Sequence, residues 1–386
     1  MEKFIPLLLL ILIFTFLFFF LIFSDNHPHP SKENLVCTDL QGFYDTGKET
    51  KYLSFEFTSS YLKKKYRKVE SNIYARKMFQ FIERCPNLLE LSIENCPFLT
   101  DKNFKLTKKC LKIFENLEHL SIINCPNLFD ESLNEVFENC VNIESLCLSN
   151  YKNFSGKALQ EMCFPDLKEL ELTGCENLTD DSLLTILAFH PNLTGLYIGS
   201  IPNLISLRKI LERCPKLRNL DISNSNFTNF EDIPILNLEY LDASNSRIDN
   251  QSLFKMTSKH LEYLDISSCP LLTKPPLHFS GLKELKIGGC NNFSEDLILE
   301  ILKNIPALNS LSVSNSPNLS ENFFKEIPVK CPHLINLDCS LCLSLNTDLF
   351  LEIRKNLKHF KVDGCSNINP FVLLRSISLR SISLRS

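Results

Sequence analysis

Residues 88–101 read LLELSIENCPFLTD, and residues 167–180 read LKELELTGCENLTD. Both segments set a leucine, an aliphatic residue three places on, another five places on, and a cysteine eight places on. The fourth and sixth places are apolar with polar residues between them, the alternation of a short strand with one buried face. The same unit, with Ile, Val, Phe, Ala or Cys at some apolar places, starts at Leu88, Leu117, Ile143, Leu167, Leu193, Leu217, Leu238, Leu261, Leu282, Leu308, Leu334 and Leu357. Successive starts lie 21 to 29 residues apart. A unit this short cannot bury its apolar face alone, so the copies must stack as coils around one continuous core.

The remainder of each unit brings the chain back. Seven residues after the first leucine stand Asn95, Asn124, Asn150, Asn224, Asn245 and Asn315, or Gly174, Gly289 and Gly364. Asn and Gly turn a backbone at the least steric cost. Eleven residues after it comes another core residue, such as Leu99, Leu128, Phe154, Leu178 or Leu204. Thr100-Asp101, Thr179-Asp180 and Ser320-Glu321 then read as helix starts, with Leu133, Leu159 and Leu183 returning inward. The short units between Leu217 and Leu282 leave room for a turn or irregular backbone instead. The expected fold is α/β: a right-handed leucine-rich-repeat solenoid (horseshoe) with parallel concave strands and convex helices or turns.

With 386 residues, 44% hydrophobic and 22% charged, the chain has the makings of a substantial core rather than of disorder. A net charge of -4 supplies no diffuse basic field, so no nucleic acid is expected as a partner. Phe4 to Phe23 is twenty uncharged residues, long enough at about 1.5 Å per residue to cross a bilayer core. An uncleaved anchor, a cleaved signal and a dispensable extension are all compatible with it; the run exceeds an ordinary signal core, and Ile22-Phe23-Ser24-Asp25 is a poor cleavage site. The expectation is a single-pass membrane protein, held through residues 4–23, with its repeats facing the cytosol. The chain then divides into an anchor or signal segment with linker at 1–30, an N-terminal cap region at 31–84 with Leu53, Phe55 and Phe57 as a degenerate coil, about twelve repeats at 85–371, and a low-complexity tail at 372–386. Ile73 to Cys85 reads as the helix leading into the first full coil, with Ile73, Met78, Phe79 and Ile82 on one face. The basic cluster Lys63, Lys64, Lys65, Arg67 and Lys68 reads as solvated surface or, following an anchor, as a phospholipid contact.

Sixteen cysteines would suit a disulfide scaffold, but they recur in two slots. Cys96, Cys125, Cys175, Cys269, Cys290, Cys342 and Cys365 fill the eighth-residue slot, and Cys85, Cys140, Cys214 and Cys331 fall near helix ends. Small apolar thiols suit a tight core, and free thiols favour a reducing compartment. Against this stand seven sequons, at Asn153, Asn177, Asn192, Asn226, Asn250, Asn292 and Asn318, which would suit a secreted or lumenal receptor-like protein. The repeat itself supplies Asn with Thr or Ser at these places, so the thiols weigh more.

No phosphate loop, nucleophile elbow or zinc-protease helix occurs, and Cys339 and Cys342 fall on repeat positions rather than in a zinc motif. His260, His333 and His359 sit at or just before strands, where repeat geometry accounts for them. The reading is no enzyme, no cofactor and no metal.

With its Leu-x-x-Leu-x-Leu run, its cysteine and the following Asn-Leu-Thr-Asp of 177–180, the chain resembles the cysteine-containing leucine-rich repeats of the RNI-like superfamily, over about 70% of its length. These are similar to the repeats of F-box proteins and of mitotic-exit antagonists. The resemblance implies substrate recognition within a cullin-type ubiquitin ligase. An F-box would place a helical module with Leu-Pro before the repeats, and residues 24–68 hold no Leu-Pro. The broader expectation is a non-catalytic protein-interaction scaffold working through its concave face.

The third, fifth and seventh places of each unit should line that face. The fifth place carries Asp221, Asp242 and Asp265 in three consecutive units, with Tyr197 one unit earlier, and the third place carries Tyr240 and Tyr263. Tyrosines beside carboxylates are a hot-spot composition, and the expected occupant is a protein partner presenting a basic segment. Leu-Asp-Leu and Leu-Asp-Ile are also common wherever such a strand is exposed.

Overall fold

The computed structural model describes residues 34–37, 49–57, 71–104, 106–227, 233–275, 279–369 and 371–372. Fourteen parallel strands among them form one sheet in strict chain order. Two precede the twelve units: β1 (Asn34–Cys37) and β2 (Tyr52–Glu56). The twelve units supply β3 (Glu90–Glu94), β4 (His119–Ile123), β5 (Ser145–Cys147), β6 (Glu169–Glu171), β7 (Gly195–Tyr197) and β8 (Asn219–Asp221). They continue with β9 (Tyr240–Asp242), β10 (Tyr263–Asp265), β11 (Glu284–Lys286), β12 (Ser310–Ser312), β13 (Asn336–Asp338) and β14 (His359–Lys361). The architecture is the α/β leucine-rich-repeat horseshoe that the periodicity calls for.

Its spine is the fourth place of each unit. Leu91, Leu120, Leu146, Leu170, Leu196, Leu220 and Leu241 pair rung to rung, followed by Leu264, Leu285, Leu311, Leu337 and Phe360. All twelve are buried. Removing one leucine side chain from water is worth about 1.5–3 kcal/mol, and here the gain recurs once per coil.

After each strand the backbone enters the left-handed region at the place expected of Asn and Gly, in every one of the twelve units. Asn95, Asn124, Asn150, Asn224, Asn245 and Asn315 do so at φ of 50 to 55°, and Gly174, Gly289 and Gly364 at 67 to 73°. Ser200, Ser268 and Leu341 take the same conformation in the remaining units. No local preference puts a leucine there; the stacked neighbours impose it.

Eight residues into the unit, the cysteines do more than fill space. The thiol donates to the sixth-place carbonyl of the preceding coil: Cys175 to Leu148 (3.0 Å), Cys269 to Ala243 (3.1 Å), Cys290 to Ile266 (3.1 Å), Cys342 to Val313 (3.3 Å) and Cys365 to Cys339 (3.1 Å). The fifteen cysteines from Cys85 to Cys365 are free thiols. Burial pushes Cys175 up to about 12 and Cys290 and Cys342 up to about 11, far from thiolate chemistry at neutral pH.

The outer layer is unequal. Helices α1 (Ser71–Ile82), α2 (Lys108–Phe114), α3 (Asp130–Asn139), α4 (Asp180–Ala188) and α5 (Leu207–Arg213) cover the first half. Helices α6 (Asn250–Met256), α7 (Glu295–Lys303), α8 (Glu321–Lys330) and α9 (Thr347–Ile353) cover the second. Side-chain caps from Thr107, Thr179, Asp249, Ser294, Ser320 and Asn346 start six of them. Acidic residues at helix starts staple neighbours together. Asp130 accepts from the Ser155 N–H and hydroxyl and from the Ala158 N–H, and Glu295 accepts from the Ser320 N–H and hydroxyl.

Several sequence expectations need correction. Thr100-Asp101 does not open a helix: Asp101 instead accepts from the Phe129 N–H of the next coil, and α2 starts after Thr107. Ile73, expected on the buried face of α1, is exposed, while Met78, Phe79 and Ile82 are buried. The unit starting at Leu238 carries α6 despite its short length, because Asp249 caps it.

The expected membrane anchor, membrane partner and single-pass membrane localisation are also withdrawn. Among the described residues no helix is long and apolar enough to cross a membrane. The longest, α1, has 12 residues and so spans about 18 Å, against about 30 Å of hydrocarbon. Residues 4–23 lie outside the described residues.

Candidate functional site

The strands present their third, fifth and seventh places on one side, and in the middle of the sheet these places gather the tyrosines and aspartates. Register pairs Asp221 with Asp242 and Asp242 with Asp265, and likewise Tyr240 with Tyr263. The Tyr240 and Tyr263 rings stack, with centroids 4.2 Å apart and planes within 9°. Tyr197 leans towards Tyr240 across β8, at 6.3 Å and 58°. All three rings are half-buried. Burial, reinforced by neighbouring negative charge, raises the phenol pKa of each, so they act as neutral hydroxyls and apolar faces.

Each aspartate has local work as well. Its Oδ1 accepts the N–H of the residue two places on: Asp221 from Ser223 (2.7 Å), Asp242 from Ser244 (2.9 Å) and Asp265 from Ser267 (2.9 Å). Asp338 does the same with Ser340 (3.0 Å), far from the tyrosines. The Asp-x-Ser spacing thus closes the turn after the strand, which accounts for part of the run of aspartates. Burial raises the carboxyl pKa of Asp221 and Asp265, partly opposed by those hydrogen bonds, and the charge of Asp242 raises both further.

Lys286 of β11 closes one side of the cluster, a residue that sequence reasoning did not single out for this site. Its ammonium donates to the Tyr263 hydroxyl (2.8 Å) and stands 3.5 Å from Glu284 Oε1 and 3.9 Å from Asp265 Oδ2. It is 4.9 Å from the Tyr263 ring centre. The shorter distance to the hydroxyl places it at the polar edge of the ring rather than over its face.

Elsewhere the polar groups serve the stack. Asn153, Asn177, Asn226 and Asn292, four of the sequon asparagines, donate their amides to carbonyls of the preceding coil, at Pro126, Lys152, Pro202 and Pro270. His190 is buried with both ring nitrogens committed: Nδ1 donates to the Ile186 carbonyl (2.8 Å) and Nε2 accepts from the Phe164 N–H (3.2 Å). An open cleft beside the strand starts of the first coils is lined by Lys51, Asn116, Glu118, Asn142 and Glu144. It lies apart from the tyrosines, and Glu144 within it pairs with Lys168 (2.6 Å). Among the described residues no group of three His, Cys, Asp or Glu side chains is placed to hold a metal ion.

Among solved structures the chain is similar to that of Rad7 in its complex with Elc1 from yeast, at TM-score 0.52 and 18% identity over 92% of this chain and 81% of that one. An internalin of Listeria monocytogenes gives 0.44 and 16%, over 79% of this chain and 82% of that one. TLR13 in a TLR13–ssRNA13 complex gives 0.42 and 17%, over 82% of this chain and 52% of that one. No protein-family model matches the sequence, and no curated protein matches it. The likeness establishes the fold, a leucine-rich-repeat solenoid.

Proposed function

We propose that the protein is a non-catalytic interaction scaffold that holds a protein partner on its concave face, over β7 to β11. The observation that carries this reading is the stacked pair Tyr240–Tyr263, with Tyr197 beside it, half-buried on a sheet face whose other residues are mostly small or charged. Rigid aromatic area held in place before binding loses little side-chain freedom on contact, which is why such residues dominate interface energetics. Asp221, Asp242 and Asp265 add a field beside the rings.

The test compares the full chain with a Tyr240→Ala, Tyr263→Ala double variant and with Phe254→Ala on the outer helix α6. Partners captured from the native cell should be lost with the concave variant and kept with the convex one, both variants melting as the parent does. Retention of the same partners at parental affinity by the concave variant would place the interface elsewhere.

A second reading is substrate recognition in a ubiquitin ligase. The cysteine-containing repeats, which resemble those of F-box proteins, support it. Direct binding of the purified chain to a cullin-ligase adaptor subunit is its requirement, and no binding at micromolar concentrations would remove it.

A further inference from the structure

Resting on the concave-face reading, we infer that the face over β6 to β11 takes an arginine-rich segment of the partner, and that Lys286 is a built-in competitor occupying one of its cation places. The third and fifth places of these six strands hold Glu169, Glu171, Asp221, Asp242, Asp265 and Glu284 against a single cation, Lys286. The same places in β3 to β5 and in β12 to β14 hold Glu90 and Asp338 as their acids, with His119, His359 and Lys361 beside them. Negative charge is therefore concentrated where the tyrosines stand, the complement of a basic segment.

Lys286 shows how such a segment is received. One ammonium is held jointly by a tyrosine hydroxyl and the carboxylates of Asp265 and Glu284. One strand back the tyrosine and aspartate recur, Tyr240 pairing with Tyr263 and Asp242 with Asp265, with Tyr263 standing in the place of Glu284. There the fifth place of the following strand is Asp265 rather than a lysine, and among the described residues no ion pair reaches Asp221 or Asp242. The tyrosine–aspartate pair is thus built twice and filled once. A guanidinium suits the unfilled one better than an ammonium: it is planar, keeps its charge when partly desolvated, and lies along exposed ring edges while its N–H groups fork to carboxylates. Crowded carboxylates such as half-buried Asp221 and buried Asp265, already raised in pKa, gain most from a neighbouring cation.

The experiment titrates the purified full chain into fluorescein-labelled hexaarginine, hexalysine and hexaglutamate and follows fluorescence anisotropy at low and high salt. Hexaarginine should bind more tightly than hexalysine, hexaglutamate not at all, and added salt should weaken the complex. Asp242→Asn keeps an acceptor for the Ser244 N–H while removing the charge, and should weaken hexaarginine about threefold or more; Tyr240→Ala should weaken it about tenfold. Lys286→Gln should tighten it, by about threefold, because a competing cation has gone. Binding of hexaarginine no tighter than hexaglutamate overturns the inference, as does a Lys286→Gln variant that binds equally or more weakly while melting normally. If the tyrosine double variant loses its cellular partner but the parent ignores hexaarginine, the cation places are refuted and the concave interface stands. If the double variant retains both hexaarginine and the cellular partner, both readings fall.

Discussion

The coils that start at Leu217 and Leu261 have 21 residues each and no described helix on the outer side, whereas those from Leu282 and Leu308 have 26 and carry α7 and α8. On the inner side the contrast runs the other way. The short coils bring Asp221, Tyr263 and Asp265 to the concave face, and the long ones bring Glu284 with Lys286 and Ser310 with Ser312. Through both, the leucine ladder keeps its register from Leu220 to Leu337 without a slip. Core geometry, outer cover and inner chemistry are three separately adjustable properties of one repeat, and only the first is constant along the array.

The largest effect should come from attacking what the two kinds of coil share. Leu170→Asp in a long coil and Leu241→Asp in a short one each put a carboxylate into a fully buried site, and each should cost more than about 3 kcal/mol by chemical denaturation. A much smaller cost for Leu241→Asp would show that the short coils are not part of one cooperative core. A smaller loss is expected from Gly288→Ala, whose added Cβ would clash with the Ser314 carbonyl oxygen; about 1–3 kcal/mol should register as a lower denaturation midpoint. In the opposite direction, Leu341→Asn replaces a half-exposed leucine at φ 62° with a residue that accepts that conformation, and should add up to about 1 kcal/mol.

The mildest effect, confined to the coil around α4, should be one of pH. Burial lowers the pKa of His190 below its ordinary 6.5, so the folded state binds its proton less readily than the unfolded one. Its contribution is intact above that ordinary value and declines as pH falls below it. Melting temperatures measured across mildly acidic pH should fall more steeply for the parent than for His190→Gln. Parallel profiles would remove His190 as the cause.

The repeat starts, the turn asparagines and glycines and the recurrent cysteine were legible because each reflects a constraint met inside a single coil. What escaped depended on the neighbouring coil. Nothing local announces that Ser200 or Leu341 turns left-handed, or that the Cys175 thiol donates to the carbonyl of Leu148. The candidate site was legible as a grouping of Tyr197, Tyr240, Tyr263 and the three aspartates, and register does bring them together. The second role of the aspartates was missed although its signal was present, in the serines that follow Asp221, Asp242 and Asp265 two places on. Lys286 escapes a reading of the sequence, because its reach back to Tyr263 is a property of adjacent strands.

The thiols and sequon amides also give the array a direction. Cys175, Cys269, Cys290, Cys342 and Cys365, like Asn153, Asn177, Asn226 and Asn292, each donate towards the coil that came before. Every such coil is therefore a cassette with a plug on one side and a socket on the other. Duplicating one in place preserves the matching at both seams, whereas reversing the order of two unlike coils sets a plug against a mismatched socket. That polarity gives lengthening of the horseshoe by tandem duplication a ready-made fit that shuffling its coils lacks.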